Sequence, residues 1–411
     1  MKASQVIRIV LGLVIGGIAL SVPVVAQTDD SPKKQKAYEE FNLELQLDYR
    51  AFLREGLYPA QKQQFVSGAI YPEYYREWKG GEHRLQFTGF FRWETHETRR
   101  THADIRELYW QWVKNDWELS IGAKKIFWGV TESIHLVDIV NQTDFVESFD
   151  GEQKLGQPMV HFSWVTKFGI LDAFYLPWFR RRQFPGEEGR LRFPILLDKE
   201  AAQFESDRER FHPDWSLRWS HSLANFDLGL SHFYGTGREP LFVPGADSGS
   251  FQMLYPIIHQ TGLEVQAVTG PMLWKFESIL RSNDFQETVF AFAVGGEFTL
   301  GNIAQSGLDI GLLAEYLYDN RDELAITSMD NDLFTGARFA FNDVHSTEIL
   351  MGGIVDLERS TKLFSLEASR RVGESWKVEI ESRFFADVAE DEFLFFVRRD
   401  GFLQVRIAKF F

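Results

Sequence analysis

Any chemistry this sequence performs has to come from charged and hydroxyl side chains, because the 411 residues include no Cys. That removes disulfides, thiolate zinc sites, iron–sulfur clusters and a cysteine nucleophile at once. The histidines are scattered, and His96-Glu-Thr-Arg-Arg-Thr-His102 has the wrong spacing for a zinc pair on one helix face. No Gly-x-Ser-x-Gly elbow is present. Gly235-Thr-Gly237 lacks the third glycine of a dinucleotide loop, and His232 or His259 would meet a serine only by the accident of folding. The acidic run Asp319, Asp322, Glu323, Asp330 and Asp332 offers oxygen ligands for a divalent cation, but it lacks EF-hand glycine spacing and reads as a solvated loop. The sequence therefore predicts no catalytic residue, no cofactor and no resident metal. With 44 Lys plus Arg against 59 Asp plus Glu, a net charge of −15, it also predicts no nucleic-acid partner, since displacing phosphate counterions needs a basic surface.

The elements that carry these charges repeat with a period of two. From Phe41 to Arg54, the residues Phe41, Leu43, Leu45, Leu47, Tyr49, Ala51 and Leu53 alternate with Asn42, Glu44, Gln46, Asp48, Arg50, Phe52 and Arg54. Side chains on a strand point alternately to its two faces, so one face is apolar and the other polar, broken only by Phe52. The pattern recurs over 84–94 and 376–384 and in most of the later chain, in runs of mostly 9 to 13 residues. A strand in a soluble sandwich needs about 5 to 6 residues, whereas a tilted membrane-crossing strand needs about 9 to 11. Short turns at Asn115-Asp116, Lys167-Phe168-Gly169, Gly270-Pro271 and Gly373-Glu374 exchange with long segments at 129–157, 179–212, 236–251 and 319–332. Short turns on one side and long loops on the other are the habit of outer-membrane barrels.

The first 26 residues complete the picture: Lys2 and Arg8, a charge-free stretch from Ile9 to Val22, then Val24 and Ala26 at the −3 and −1 positions. This predicts a signal peptide cleaved after Ala26, followed by a flexible lead-in over 27–39 and a barrel over 40–411. The apolar stretch is too short for a transmembrane helix. The expected fold is an all-β transmembrane antiparallel barrel in the bacterial outer membrane. About nineteen strands can be counted, but closure favours an even number, so about 18 are expected, within 16 to 20. The weakest assignments are 63–77, which contains Pro72, and the pair flanking Arg399-Asp400-Gly401.

The segment Gly122-Ala-Lys-Lys-Ile-Phe-Trp-Gly-Val-Thr-Glu-Ser-Ile-His-Leu-Val-Asp-Ile-Val-Asn-Gln-Thr-Asp144 resembles the strand-to-loop passage of porin-like outer-membrane barrels, including the alginate-export type. The resemblance implies that Trp128 and Gly129 end a strand and that Asp138, Asn141 and Asp144 lie on an inward loop that narrows a pore. The terminal Phe411 resembles the signal such barrels present to their assembly machinery; Lys409 departs from it, although a Lys there can lay its stem along lipid and keep its ammonium among headgroups.

In such a barrel, charges must face inward. Arg50, Arg84, Arg92, Glu94, Glu107, Lys124, Arg218, Arg338, Glu367, Lys377, Glu379, Glu381, Arg383 and Arg406 are the expected pore lining. Acid and base are interleaved there, unlike the strongly basic lumen of alginate-export channels. Arg180, Arg181 and Arg182, with Arg190 and Arg192, make an external loop basic enough to meet an anionic solute or lipopolysaccharide phosphates, or simply solvent. The expected partners are outer-membrane lipid and lipopolysaccharide, the barrel-assembly machinery through Phe411, and small polar solutes. Passive passage of small polar or charged solutes is the leading functional reading. A non-conducting structural or surface-interaction barrel is the alternative, and an outer-membrane hydrolase is a weaker one.

Overall fold

The computed structural model describes residues 37–197, 199–244, 251–321 and 329–411. The leader, most of the lead-in, and Asp322 and Glu323 lie outside the described residues. Tyr38 and Glu39, expected in the lead-in, already belong to the first strand.

In chain order the strands are β1 (Tyr38–Phe52), β2 (Gln64–Trp78), β3 (His83–Glu94), β4 (His102–Lys114), β5 (Trp117–Lys124), β6 (Gln157–Thr166), β7 (Gly169–Leu176), β8 (Gln203–Phe204), β9 (Asp214–Leu223), β10 (Phe226–Thr236), β11 (Leu241–Pro244), β12 (Phe251–Tyr255), β13 (Ile257–Thr269), β14 (Met272–Ser282), β15 (Val289–Ile303), β16 (Leu308–Asp319), β17 (Asn331–Ala340), β18 (Glu348–Asp356), β19 (Lys362–Val372), β20 (Trp376–Ala386) and β21 (Phe402–Phe410). β8, β11 and β12 form a small sheet of their own, and the other 18 form one antiparallel sheet. That sheet is closed by β1 against β21, with Leu47 opposite Ile407 and Asp48 opposite Arg406. Closure leaves no edge strand, which in hydrocarbon would expose unpaired amides.

The apolar half of each alternating pair faces out. Leu47, at mid-strand, is 55% exposed, and Phe91, Trp93, Ile380, Phe384, Leu403 and Ile407 share that outer surface. Trp and Tyr gather toward the two ends of the strands. Trp112 packs edge-on against Trp117 near the turn end, with ring centroids 4.9 Å apart, and Trp215 packs on Tyr234 at 5.7 Å near the loop end. These are positions suited to the two membrane interfaces. Lys409 behaves as its long stem allows: its ammonium sits 4.7 Å from the centre of the Trp376 ring and 2.8 Å from Ser375 Oγ.

One doubtful strand is real and another is not. β2 runs straight through Pro72, which lies opposite Leu43 in β1, while its ladder with β3 is interrupted there. Gly89 stands across from the proline ring, and a Cβ on it would come within 3.0 Å of Pro72 Cγ. A residue with no N–H is tolerated where the ladder is already broken. The segment before Gly401, by contrast, forms the 3-10 helix Phe393–Val397, whose Leu394 and Val397 pack with Phe52, Phe65, Phe385, Phe402 and Leu191. An unbroken apolar run read as a strand belongs instead to this small core beneath the long loops.

The lipid-facing assignment has a direct consequence. Leu47→Arg is expected to destabilise the barrel in liposomes by about 2 to 4 kcal/mol by placing a guanidinium in hydrocarbon, whereas Gln46→Arg on the inward face costs much less. Denaturant titration of both variants checks this, and equal losses would contradict the assignment.

Candidate functional site

Inward-facing charges meet one another through a single long segment, residues 125–156 between β5 and β6, which folds into the barrel. Its apolar side chains Ile126, Trp128, Leu136, Val137, Ile139 and Val140 pack on Met159 of β6, Phe174 and Leu176 of β7, Phe233 of β10, Ile258 of β13, Ile279 of β14 and Ala291 of β15. The segment thus lies against one wall by ordinary apolar burial. β5 ends at Lys124, so Trp128 and Gly129 do not end a strand as the resemblance implied. Trp128 belongs to the segment's core, with its ring centre 5.6 Å from that of Phe174.

Hydrogen bonds then fix the segment across the barrel. The backbone N–H groups of Val130 and Thr131 donate to Glu277 Oε1 on β14 at 2.6 and 2.9 Å. Those of Glu132 and Ser133 donate to Glu315 on β16 at 2.8 and 2.9 Å. Gly129 has φ +131°, and a Cβ there would lie 2.9 Å from Glu277 Oε1, so only glycine admits this approach. Glu132 takes Arg338 of β17 at 2.7 Å and Lys275 of β14 at 3.2 Å. Burial would raise the Glu132 carboxyl, but these two cations hold it below the ordinary range. On the other side, Asp150 takes Arg383 of β20 at 2.5 Å, Glu147 takes Arg92 of β3 at 2.8 Å, and Asp144 takes Arg106 of β4 at 2.9 Å.

The expected loop residues therefore lie on the inward segment as staples within it, and they do not face water. Asn141 accepts from Ile126 N–H at 2.8 Å and donates to the carbonyls of Lys124 and Leu155 at 2.9 and 2.8 Å. Asp138 holds Lys154 at 3.1 Å, and burial pushes its carboxyl upward even so. Burial likewise raises Asp144 against Arg106.

The expected lining residues divide in two. Arg92, only 1% exposed, is enclosed by Asp48, Ser67 and Glu147, and Glu94 is sealed against Arg100 at 2.9 Å. These two anchor the fold and are corrected from pore lining to support. Arg50 bonds Gln404 at 2.7 Å, Arg218 pairs with Glu264, Lys124 approaches His161 at 3.5 Å, Glu107 accepts from Lys125 N–H at 3.2 Å, and Arg84 lies 3.5 Å from Glu77. A second group lies on the β17–β21 wall, which the segment touches at Arg338, Arg383 and Phe385. Arg406 bridges Asp48 and Glu379 at 2.6 and 3.2 Å, and Lys377 holds Glu379 at 2.6 Å. Arg383 also touches Glu381 and Glu367 at 3.3 and 3.4 Å. Glu367 is 53% exposed and Arg338 33% exposed in their side chains. Inward positions nearby are small: Gly336 faces Gly352, which faces Ser365.

Sequence reading missed Arg106, Glu132, Asp150 and Glu152. Arg106 is the extra residue of a bulge, since Thr88 pairs with Glu107 and Gly89 with Ile105. The bulge turns Arg106 and Glu107 both inward. Its signal was the phase break between outward Ile105 and Leu108, three residues apart. The three acids sit on irregular backbone, where period two gives no direction.

The outer mouth is roofed by residues 177–213. Arg180 donates to Asp104 at 2.8 Å, Arg181 pairs with Glu200, and Arg182 is buried with its Nε 3.0 Å from Gln142. Arg190 reaches Asp400 at 2.6 Å together with the carbonyls of Lys62, Arg54 and Arg399. Arg192 lies over the Tyr58 ring at 3.9 Å. The basic run thus crosslinks four external loops, and the expected solvated basic face is corrected to an internal one.

No family model and no curated protein sequence matches the chain. Among solved structures, it is similar to a BenF-like porin from Pseudomonas fluorescens Pf-5, with 9% identity and a TM-score of 0.53 over 92% of this chain and 98% of that one. OprB of Pseudomonas putida aligns over 91% of this chain and 94% of that one at 10% identity and TM-score 0.49. OmpT of Vibrio cholerae aligns over 91% and 99% at 10% identity and TM-score 0.45. The likeness to the BenF-like porin is one of fold: a closed antiparallel barrel of the outer-membrane porin kind.

The segment's anchorage has a pH signature. Burial would lower the His135 imidazole, but Glu152 at 3.3 Å and Glu277 at 3.8 Å outweigh it and push it up to about 10. Folding raises this group above its unfolded value of about 6.5, so its contribution is complete below that value and is lost as pH rises through about 10. Wild type is expected to exceed His135→Ala by about 1 to 3 kcal/mol at pH 6 and by little at pH 10.5. Urea titrations at both pH values check this, and an undiminished gap at pH 10.5 would contradict it.

Proposed function

We propose that the protein is an outer-membrane channel through which small polar or charged solutes pass passively. The observation that carries this reading is the lopsided placement of the inward segment. Its apolar core packs on the β6–β15 wall, it touches the β17–β21 side through Glu132, Phe149 and Asp150, and it leaves on that side charged inward groups such as Glu367 that solvent still reaches. Two acids on the segment, Glu132 and Asp150, meet the bases Arg338 and Arg383 on the wall. Opposed charges across a narrow gap produce a transverse field that orients water and polar solutes and disfavours apolar ones. The similarity in fold to a porin supports the same reading. Lipid and lipopolysaccharide are then the surroundings of the apolar outer face, and the exposed Phe411 just after the closing strand is the contact for barrel assembly.

The full chain reconstituted in planar bilayers is expected to give discrete conductance steps. Charge reversals Arg338→Glu, Glu367→Arg and Arg406→Glu are expected to shift cation over anion permeability by roughly threefold or more each, in the direction of the introduced charge. Complete absence of conductance would favour a closed structural barrel, for which the roof over the mouth is the supporting feature. Steps whose selectivity ignores all three reversals would place the path elsewhere.

A further inference from the structure

The outer rim carries a group of carboxylates that the proposed passage does not use. Asp332 on β17 and Asp356 on β18 are register partners on the inward face, an arrangement in which like charges repel. Asp330 immediately precedes β17, and one oxygen from each of the three lies within 4.8 Å of the other two, all in buried positions. A fourth carboxylate arrives from the β20–β21 connection. Glu392 lies beside Asp356 and Thr361, is only 5% exposed, and neither of its oxygens reaches full hydrogen-bond geometry with a described residue. Asp356 is held on one side, where Oδ1 accepts from the N–H groups of Glu358 and Arg359 at 2.7 and 2.5 Å. Its Oδ2 has no hydrogen-bond partner. Arg359 reaches Asp330 at 2.9 Å and Asp356 at 3.6 Å, and is shared with Asp391 at 3.2 Å.

Among the described residues, the Arg359 guanidinium, shared in this way, does not by itself neutralise three gathered aspartates and the neighbouring Glu392, and buried charges persist when they are paired or coordinate a metal. We propose that Asp330, Asp332, Asp356 and Glu392 form a calcium-binding site at the external rim. The donors are all carboxylate oxygens, the ligand type of hard cations, and no imidazole or thiolate is present to favour zinc or copper. Oxygens on opposite sides of Ca2+, at bond lengths of about 2.3 to 2.6 Å, stand about 5 Å apart, which accommodates the Asp330, Asp332 and Asp356 oxygens, all within 4.8 Å of one another, with Glu392 reaching the ion from beside Asp356. Magnesium keeps its water and demands tighter octahedral geometry, so a water-poor, irregular cluster suits calcium better. A bound ion would tie the ends of β17 and β18 to the β20–β21 connection, joining neighbouring parts of the mouth.

The test uses the full chain in detergent, depleted of lipopolysaccharide, stripped with EDTA and titrated calorimetrically with CaCl2. One site is expected, with Kd between about 0.1 and 1 mM, the range of modules facing calcium-rich surroundings. Glu392→Gln and Asp356→Asn are each expected to weaken it at least tenfold, and MgCl2 to bind at least tenfold more weakly than CaCl2. The thermal midpoint should rise with CaCl2 in the wild type and not in the variants. Failure of the wild type to bind Ca2+ overturns the proposal, as does unchanged affinity in Glu392→Gln, which decides the matter alone should Asp356→Asn not fold. Equal affinity for Mg2+ overturns the assignment to calcium.

Discussion

In bilayer hydrocarbon no water is on hand to satisfy a backbone amide, and the other features of this protein are arranged around that fact. Eighteen strands joined in a ring, with β1 sealed to β21, pair their N–H and C=O groups along the ladders without leaving an edge. Once the ring closes, each strand has a lipid side and an interior side, and alternation assigns every residue to one of them. A local departure, at Arg106 and Glu107, shows the rule at work. An extra residue in the ladder turns two adjacent charges inward, and the outward apolar series resumes at Leu108 in the new phase.

The interior then faces the opposite difficulty, because it collects nearly all the charge. Unpaired, those groups would repel one another or demand full hydration. The segment 125–156 resolves much of this by supplying acids to Arg92, Arg106, Arg338 and Arg383 and by offering backbone N–H donors to Glu277 and Glu315. Carboxylates accepting several N–H bonds are well satisfied even when buried. The same segment needs a dry side on which to rest, and it finds one in Met159, Phe174, Phe233 and Ile279. Apolar packing on one wall and ion pairs toward the other give it a defined position.

The mouth repeats this logic at a smaller scale. Arg190 gathers a carboxylate and three carbonyls from separate loops. Around it, Leu191 joins the aromatic cluster of Phe52, Phe65, Phe385 and Phe402. Guanidinium groups, with several donors in a rigid fork, suit such a hub better than a point charge would. Elsewhere on the rim, among the described residues, the acids at 330, 332, 356 and 392 gather around Arg359, and the proposed calcium ion supplies the charge they lack.

The sequence by itself determined the class of fold, because period two over runs long enough to cross a membrane permits few structures other than a barrel. It also fixed which side of each strand meets lipid, the even strand number near 18 and the end that carries long loops. These are consequences of local alternation and length. Tertiary structure alone decided what each inward charge does: that Arg92 is enclosed while Glu367 meets water, that Arg180 to Arg182 turn inside, and that FLFFV coils in a small core. It also brought Asp356 and Glu392 beside the acids at 330 and 332, which alone read as a solvated loop. The physical reason is that pairing energy depends on distances between residues far apart in the chain, and those distances exist only after the ring has closed and its loops have packed.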